Sequence, residues 1–321
     1  MITAMADTAW QAGLDLAAEP FAMVRGRTAR RAAQAIIAAY EQIEATAGPK
    51  LGPIVDWLLA GYGFAADHPY RRAAAQIAAA IEARDTPHPL NPYHNAHHTL
   101  EVVLNAHYLA ARNDAVATHI RLTAREHGLL CVAALIHDFE HDGTMNGAQR
   151  FRLERLANDR ATPHFDAAGV TPEDQAAIRV IVLATDPAGP NLYMKSLHSE
   201  AFYGGPPPDA TTAFPELLPL AEDHRLLRLA GLLNDADLLS SAGLSSDYAA
   251  KQSAKLGAEA GRRLGSADFL RFLGHIVGGS FTTRAGRFFN LNMFLIKSLA
   301  ELGAEEHEMK DVAAKEPLMR P

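Results

Sequence analysis

The chain lacks the features that mark secreted, membrane-spanning or nucleic-acid-binding proteins. One cysteine, Cys131, among 321 residues excludes a disulfide framework and favours a reducing cytoplasm. No stretch approaches the roughly 18 uninterrupted apolar residues of a membrane span, and no basic region followed by a long apolar one opens the chain. A net charge of −7 without a basic tract disfavours a nucleic-acid partner. We therefore expect a cytoplasmic protein without a membrane or nucleic-acid partner.

Aromatic residues are also scarce, at 7% of the chain, whereas apolar residues reach 48% and are dominated by Ala and Leu. This balance favours helices over strands. Nearly every long segment repeats with a period of 3.6 residues, and no convincing strand is present. The pattern predicts an all-α, compact multi-helix domain with helices at 29–46, 71–83, 99–112, 122–138, 171–185, 225–239, 248–264, 267–276 and 284–302. The helix at 122–138 is apolar almost all round, which predicts a central buried position.

Histidine is concentrated in one part of this helical chain. Eight of the fifteen histidines fall between His94 and His141, in the blocks YHNAHH at 93–98 and HDFEHDG at 137–143. Three or four nitrogen and oxygen ligands suit Zn²⁺ or a similar metal, and a shared carboxylate suits a second, harder cation. Asp237, after an apolar helical run, could close the site, whereas Asp235 more simply ends the helix. The pattern predicts a metal centre with an acid–base partner.

Four blocks together resemble the catalytic domain of class I cyclic-nucleotide phosphodiesterases, within the HD metal-dependent phosphohydrolase superfamily. The blocks are YHNxxH at 93–98, HDxxHxGxxN at 137–146, VLATD at 182–186 and ADL at 236–238. Their order and spacing are similar to those of the family, as expected for a divergent, bacterial-type member. The resemblance implies a phosphodiesterase domain at 48–303, an N-terminal helical extension at 1–47 and a disordered tail at 304–321.

The resemblance also implies a ligand set and a reaction. A tighter ion, zinc, would be held by His98, His137, Asp138 and Asp237, and Asp138 would also touch a second ion, Mg²⁺ or Mn²⁺. A hydroxide bridging the two divalent ions would attack the phosphorus of a 3′,5′-cyclic nucleotide and release the 5′-monophosphate. His94 would be the general acid that protonates the departing sugar oxygen.

Further residues would surround this reaction. His141 would hold a metal-bound water or the phosphate. The waters around the ions would be ordered by Asn146, Thr185 and Asp186. The substrate-binding residues would be Tyr93, Phe288, Phe289 and Asn292.

The chain departs from the family mainly where the base is recognised. Ser240 stands where the family has asparagine, and the family's purine-binding glutamine is missing from the last predicted helix, because the final glutamine of the chain is Gln252. Asp142 replaces a proline, and the family's acid-His-His stretch has no clear counterpart in 153–164. These departures leave three alternatives open: a hydrolase of another phosphoester, a di-iron oxygenase of the same fold, or a binding module without catalysis. Oligomeric state does not follow from the sequence.

Overall fold

Helices make up all the regular secondary structure in residues 26–45, 50–86, 89–117, 120–187, 189–209, 213–289 and 300, which a computed structural model describes. The all-α prediction is confirmed. The helices are α1 (Gly26–Glu44), α2 (Leu51–Gly61), α3 (Pro69–Arg84), α4 (Ala96–Val116), α5 (Ala124–Ile136), α6 (Arg152–Ala168), α7 (Pro172–Leu183), α8 (Pro190–Tyr203), α9 (Leu218–Glu222), α10 (His224–Ala242), α11 (Ser246–Glu259) and α12 (Ser266–Arg271). None of them is both long and apolar enough to cross a membrane.

Four of these helices, α2, α6, α8 and the short α9, are absent from the sequence prediction. In α6, Phe151 precedes the first turn in the left-handed region at φ 60° and Pro163 lies inside the helix, so the start carries no ordinary signal, although Gly169 ends the helix in the left-handed region. The predicted helix at 284–302 is not found in residues 284–289, the part of its first half that the structure describes. Only the short 3₁₀ turn Gly286–Phe288 is helical before residue 290, and 290–299 lie outside the described residues.

The core is built around α5, as its apolar sequence predicts. Ala133, Ala134, Leu135 and Ile136 are all fully buried at its C-terminal end. On one side lie two long helices, α4 and α10, which run antiparallel: Asp237 near the end of α10 lies beside His98 at the start of α4, and Arg228 near the start of α10 donates to the Ile120 carbonyl beyond the end of α4. This arrangement brings the start of α4, the end of α5 and the second half of α10 to one place.

The N-terminal helix α1 packs into the same core. Ala32, Ile36 and Tyr40 on α1 have no exposed surface, and the Tyr40 hydroxyl donates to the Asn105 side chain on α4. The predicted boundary at residue 47 remains a prediction, but α1 shares its buried face with the helices that carry the histidine blocks.

Candidate metal centre and active site

The histidine blocks lie at two helix ends that face each other. Asn95 caps α4, and its side-chain oxygen accepts hydrogen bonds from His97 N at 3.0 Å and His98 N at 3.2 Å. This cap fixes His98 in the first turn of α4. At the opposite side, α5 ends at Ile136 and His137 is its C-terminal cap. Asp138 follows in the turn, so both metal-site blocks point into the same space.

The structure brings all four predicted metal ligands together. His98 Nε2 lies 3.4 Å from Asp138 Oδ2 and 3.4 Å from Asp237 Oδ1. His137 Nε2 lies 3.0 Å and 3.7 Å from the same two atoms. His98 is 3% exposed and His137 is 2% exposed. Two buried imidazoles and two carboxylates therefore converge from α4, the end of α5 and α10.

The residues fit a metal ion because their ring nitrogens are otherwise unexplained. The Nε2 atoms of His98 and His137 are buried and have no hydrogen-bond partner. His137 Nδ1 lies 2.8 Å from the Ala134 carbonyl, so Nδ1 carries the proton and the Nε2 lone pair faces the carboxylates. A buried polar atom without a partner is costly, and a cation bound by the four side chains would remove that cost.

The electrostatics of the cluster agree with a cation site. Burial opposes the charging of His98, but Asp138 and Asp237 outweigh burial and raise the pKa of His98 to about 10. Burial also opposes ionisation of Asp138, yet His137 and His94 hold its pKa well below the usual range. A cation that binds these side chains must therefore displace a proton from His98.

His94, the predicted general acid, lies at the edge of this cluster. Its Nε2 is 3.9 Å from Asp138 Oδ2, and its Nδ1 is 2.5 Å from Glu259 Oε1. The second oxygen of Glu259 accepts hydrogen bonds from the backbone N–H groups of Tyr93 and His94, both at 3.0 Å. Glu259 thus orients His94 so that Nε2 faces the metal cluster.

Glu259 is a site residue that the sequence analysis did not find. Burial opposes its ionisation, but hydrogen bonds from His94 and the Tyr93–His94 backbone lower its pKa to about 2. It is the last residue of α11, 165 residues beyond His94. No local pattern marks it, and only the packing of α11 against the start of α4 shows its position.

His141 lies against His94 rather than among the four predicted ligands. The two rings stack at 19°, with centroids 3.7 Å apart. Three hydrogen bonds hold His141 in place. Its Nδ1 accepts from Gly143 N at 3.0 Å, and its carbonyl accepts from the side chains of Asn91 at 2.8 Å and Arg84 at 2.7 Å. Burial lowers the pKa of His141 to about 4, so its imidazole is neutral near pH 7 and its Nε2 is available as a donor.

The three residues predicted to order waters are buried and hold the neighbouring helix ends. Asn146 Oδ1 accepts from Leu153 N at 2.8 Å, and Asp186 Oδ2 accepts from Phe151 N at 2.6 Å. Thr185 donates to the Val182 carbonyl at 2.8 Å. Their described contacts therefore fix the start of α6 and the end of α7.

Glu154 joins this group without a sequence signal. It is 6% exposed and accepts from Asn146 Nδ2 at 2.9 Å. Burial and the charge of Asp186, with a contribution from Asp138, raise the pKa of Glu154 to about 8. The carboxylate is therefore within electrostatic reach of the candidate metal cluster.

The predicted base clamp is not near the cluster. Phe288 and Phe289 belong to the hydrophobic core, at 7% and 1% exposure. The Arg112 guanidinium lies 4.5 Å from the Phe288 ring centroid. Since Arg112 and His98 are near opposite ends of α4, about 20 Å of helix separates them at 1.5 Å per residue. Neither phenylalanine lies at the site, because the segment after residue 281 binds Asp235 on α10 and places Phe288 against Arg112.

The other polar residues near the base-recognition positions are already engaged. The Tyr93 hydroxyl is 2.9 Å from Ser241 Oγ, and its ring centroid lies 4.6 Å from that of His98. Gln252 donates to both oxygens of the buried Glu101 at 3.0 Å. Asn292 lies outside the described residues, as does Asn290.

One comparison with known protein families matches the part of the chain that carries both histidine blocks. The family model for 3'5'-cyclic nucleotide phosphodiesterase matches residues 93–159, which include both histidine blocks. A comparison with curated protein sequences finds no match.

Three solved structures have a similar fold, and two of them are phosphodiesterase domains. The phosphodiesterase domain of the RhoPDE fusion protein from the choanoflagellate Salpingoeca rosetta matches with a TM-score of 0.54 and 18% identity, over 85% of this chain and 95% of that one. A second structure, of the phosphodiesterase domain of Salpingoeca rosetta rhodopsin phosphodiesterase, has a TM-score of 0.58 and 17% identity, over 84% and 93%. LmjPDEB1 in complex with IBMX has a TM-score of 0.53 and 18% identity, over 85% and 91%.

These comparisons show which class of protein the chain resembles. The family model covers residues 93–159, and the fold is similar to that of phosphodiesterase domains over most of the chain. The resemblance to class I cyclic-nucleotide phosphodiesterases is confirmed, and the two comparisons together support a phosphodiesterase enzyme.

Proposed function

We propose that the protein hydrolyses a 3′,5′-cyclic nucleotide to the 5′-monophosphate in a metal-dependent reaction. The observation that carries the proposal is the convergence of His98, His137, Asp138 and Asp237 around two buried, unpartnered ring nitrogens, with His94 beside them. The match of residues 93–159 to the phosphodiesterase family model supports it. Cytoplasmic location remains a prediction.

The four converging side chains would hold the tighter ion, zinc, and Asp138 would also contact a second ion, Mg²⁺ or Mn²⁺. When bound, two such ions would supply Lewis acidity and a water of lowered pKa. Asp138 suits the shared position because its Oδ2 faces three histidines, His94, His98 and His137. Metal identity and the number of ions belong to the proposal.

His94 would donate a proton from Nε2 to the departing sugar oxygen. Glu259 supports this role because its carboxylate fixes the ring through Nδ1 and leaves Nε2 facing the metal cluster. The neutral ring of His141 stacks on His94 and restricts its rotation. A proton donor held in place is worth about 10²–10⁴-fold in rate.

A second candidate keeps the chemistry and changes the substrate. Gln252, the last glutamine of the chain, is bound to Glu101, so its amide is not free to bind a purine. An apolar slot discriminates by only about 1–3 kcal/mol. We therefore expect cyclic AMP and cyclic GMP to differ by less than about 100-fold in kcat/KM, with detectable hydrolysis of other phosphodiesters.

The test is a substrate panel on metal-reconstituted protein: cyclic AMP, cyclic GMP and bis(p-nitrophenyl) phosphate, with the product identified by chromatography. Asp138→Asn should abolish hydrolysis of all three. A matched control is Asp56→Asn, at an exposed ion pair with Arg71, which should leave the rates unchanged. Hydrolysis of neither cyclic nucleotide would reject the first candidate. A preference beyond about 100-fold would reveal a polar selector.

A further inference from the structure

A small cavity opens beside His94 and Asp138, and one of its walls carries a cation that the reaction as described does not use. Arg84, the last residue of α3, lines this cavity together with Asp85, His94, Asp138 and Glu140. It is the one arginine or lysine in that lining.

The Arg84 charge has no carboxylate partner among the described residues. Its Nη2 donates to the His141 carbonyl at 2.7 Å. The acids in the same lining are otherwise engaged: Asp85 accepts from Ala96 N, and Glu140 pairs with Arg160 at 3.1 Å. By contrast, Arg71 on the same helix forms a two-oxygen pair with Asp56 at 2.7 Å.

The hydrogen bond to His141 does not account for Arg84 either. Asn91 donates to the same carbonyl at 2.8 Å, so the carbonyl is satisfied without the guanidinium. An arginine has five N–H donors in a planar fork, and one of them is used in this contact. The remaining donors lie beside the cavity that also exposes His94 and Asp138.

We propose that Arg84 binds a non-bridging oxygen of the substrate phosphate and of the phosphate of the product. This inference rests on the proposed function and extends it to a residue outside the four motif blocks. The guanidinium fork matches phosphate geometry. The cavity that this fork lines also exposes His94 and Asp138, where the proposed reaction places the phosphate.

The probe is inorganic phosphate, titrated calorimetrically into the full chain loaded with zinc and magnesium. Arg84→Gln should weaken phosphate binding by about tenfold or more, as expected for a hydrogen bond to a charged group, and Arg84→Lys should weaken it less. The matched control is Arg72→Gln: Arg72 lies on the same helix and also donates to a backbone carbonyl, that of Ala168, but lies outside the cavity. Its affinity for phosphate should equal that of the wild type.

Kinetics can separate phosphate binding by Arg84 from a purely structural role, because the two predict different effects on KM and kcat. A contact made equally in the ground and transition states raises KM and leaves kcat unchanged when removed. Arg84→Gln should therefore raise KM for cyclic AMP and for bis(p-nitrophenyl) phosphate by similar factors. A fall in kcat with unchanged KM, or an equal loss of phosphate binding in Arg72→Gln, would overturn the proposal.

A measurement on the wild type tests the proposal even if Arg84→Gln does not fold. In protein labelled with ¹⁵N-arginine, the Arg84 Nε–H signal, assigned by its absence in Arg84→Lys, should shift on addition of phosphate. Absence of a shift, or of phosphate binding to the wild type, rejects the role of Arg84. Phosphate binding through Arg84 without hydrolysis of any diester would instead reject the proposed function and keep the anion site.

Discussion

His94 Nδ1 lies 2.5 Å from Glu259 Oε1, across 165 residues of sequence. The same carboxylate also binds the backbone of Tyr93 and His94. A single side chain at the end of α11 therefore fixes both the position of the YHN segment and the direction of the His94 ring. In the proposed reaction, proton donation depends on this contact.

Glu259→Gln tests that dependence. The amide keeps the size of the side chain but replaces the charged acceptor that holds His94 Nδ1 with a weaker, neutral one. We expect the variant to keep its full metal content. Its kcat for cyclic AMP should fall, but by less than the loss of about 10²–10⁴-fold that follows removal of a general acid. The control is Glu216→Gln, at a surface pair with Arg155. If Glu259→Gln loses metal in proportion to activity, the residue supports the metal site rather than the acid.

His98→Ala and Asp237→Ala should each lower bound metal and abolish hydrolysis, because a four-ligand site that loses one ligand loses affinity and geometry. Both side chains face the cluster at 3.4 Å from each other. Elemental analysis of the purified variants checks the prediction. Full metal content in either variant would remove that residue from the ligand set.

His94→Ala should keep the metals and slow hydrolysis of substrates with poor leaving groups by about 10²–10⁴-fold. The loss should shrink sharply for bis(p-nitrophenyl) phosphate, since its phenolate leaves without protonation. The comparison of the two rate losses in one variant is the measurement. Equal losses for both kinds of ester would show that His94 does not act as the acid.

Phe288→Ala should destabilise the protein and leave substrate affinity nearly unchanged. The side chain is buried beneath Arg112, and truncation of a core phenylalanine costs about 3–5 kcal/mol. Urea unfolding measures the loss, and KM for cyclic AMP serves as the second readout. A raised KM at unchanged stability would restore the base clamp that the sequence analysis predicts.

His198 should make the protein sensitive to acid. It is 3% exposed, and burial, with Arg228 and Arg287 nearby, lowers its pKa to about 3. Because the folded-state pKa lies below the unfolded value of about 6.5, the fold favours the neutral ring. The stabilisation is complete above about pH 6.5 and is lost as the pH falls toward 3, by up to about 1.4 kcal/mol per pH unit.

The measurement is urea unfolding of the wild type and His198→Gln at pH 7 and pH 5. The wild type should lose more stability than the variant between these values, since glutamine does not titrate. Parallel losses in the two proteins would show that His198 is not the titrating group.

The metal ligands could be found from sequence because they sit in local patterns. His98 follows a capping asparagine, and His137 and Asp138 follow an apolar helix, so these three candidate ligands lie at predictable helix ends. Asp237 lies inside α10 instead, where the ADL block marks it. The all-α class follows in the same way from composition and period. Helices α2, α6 and α8 were not predicted because a proline, a glycine or a left-handed residue lies at their starts. Such residues also occur in loops, and only packing decides whether a helix follows.

What the sequence alone determined is the helical class and the local positions of the histidine and aspartate residues in the motif blocks, since short-range spacing and helix capping control both. Only the tertiary structure decided which distant side chains complete the site. Glu259 and Arg84 reach His94 and His141 from α11 and α3, whereas Phe288 is buried in the core. Such contacts depend on how helices pack against one another, and helix packing depends on the summed burial of many side chains rather than on any motif.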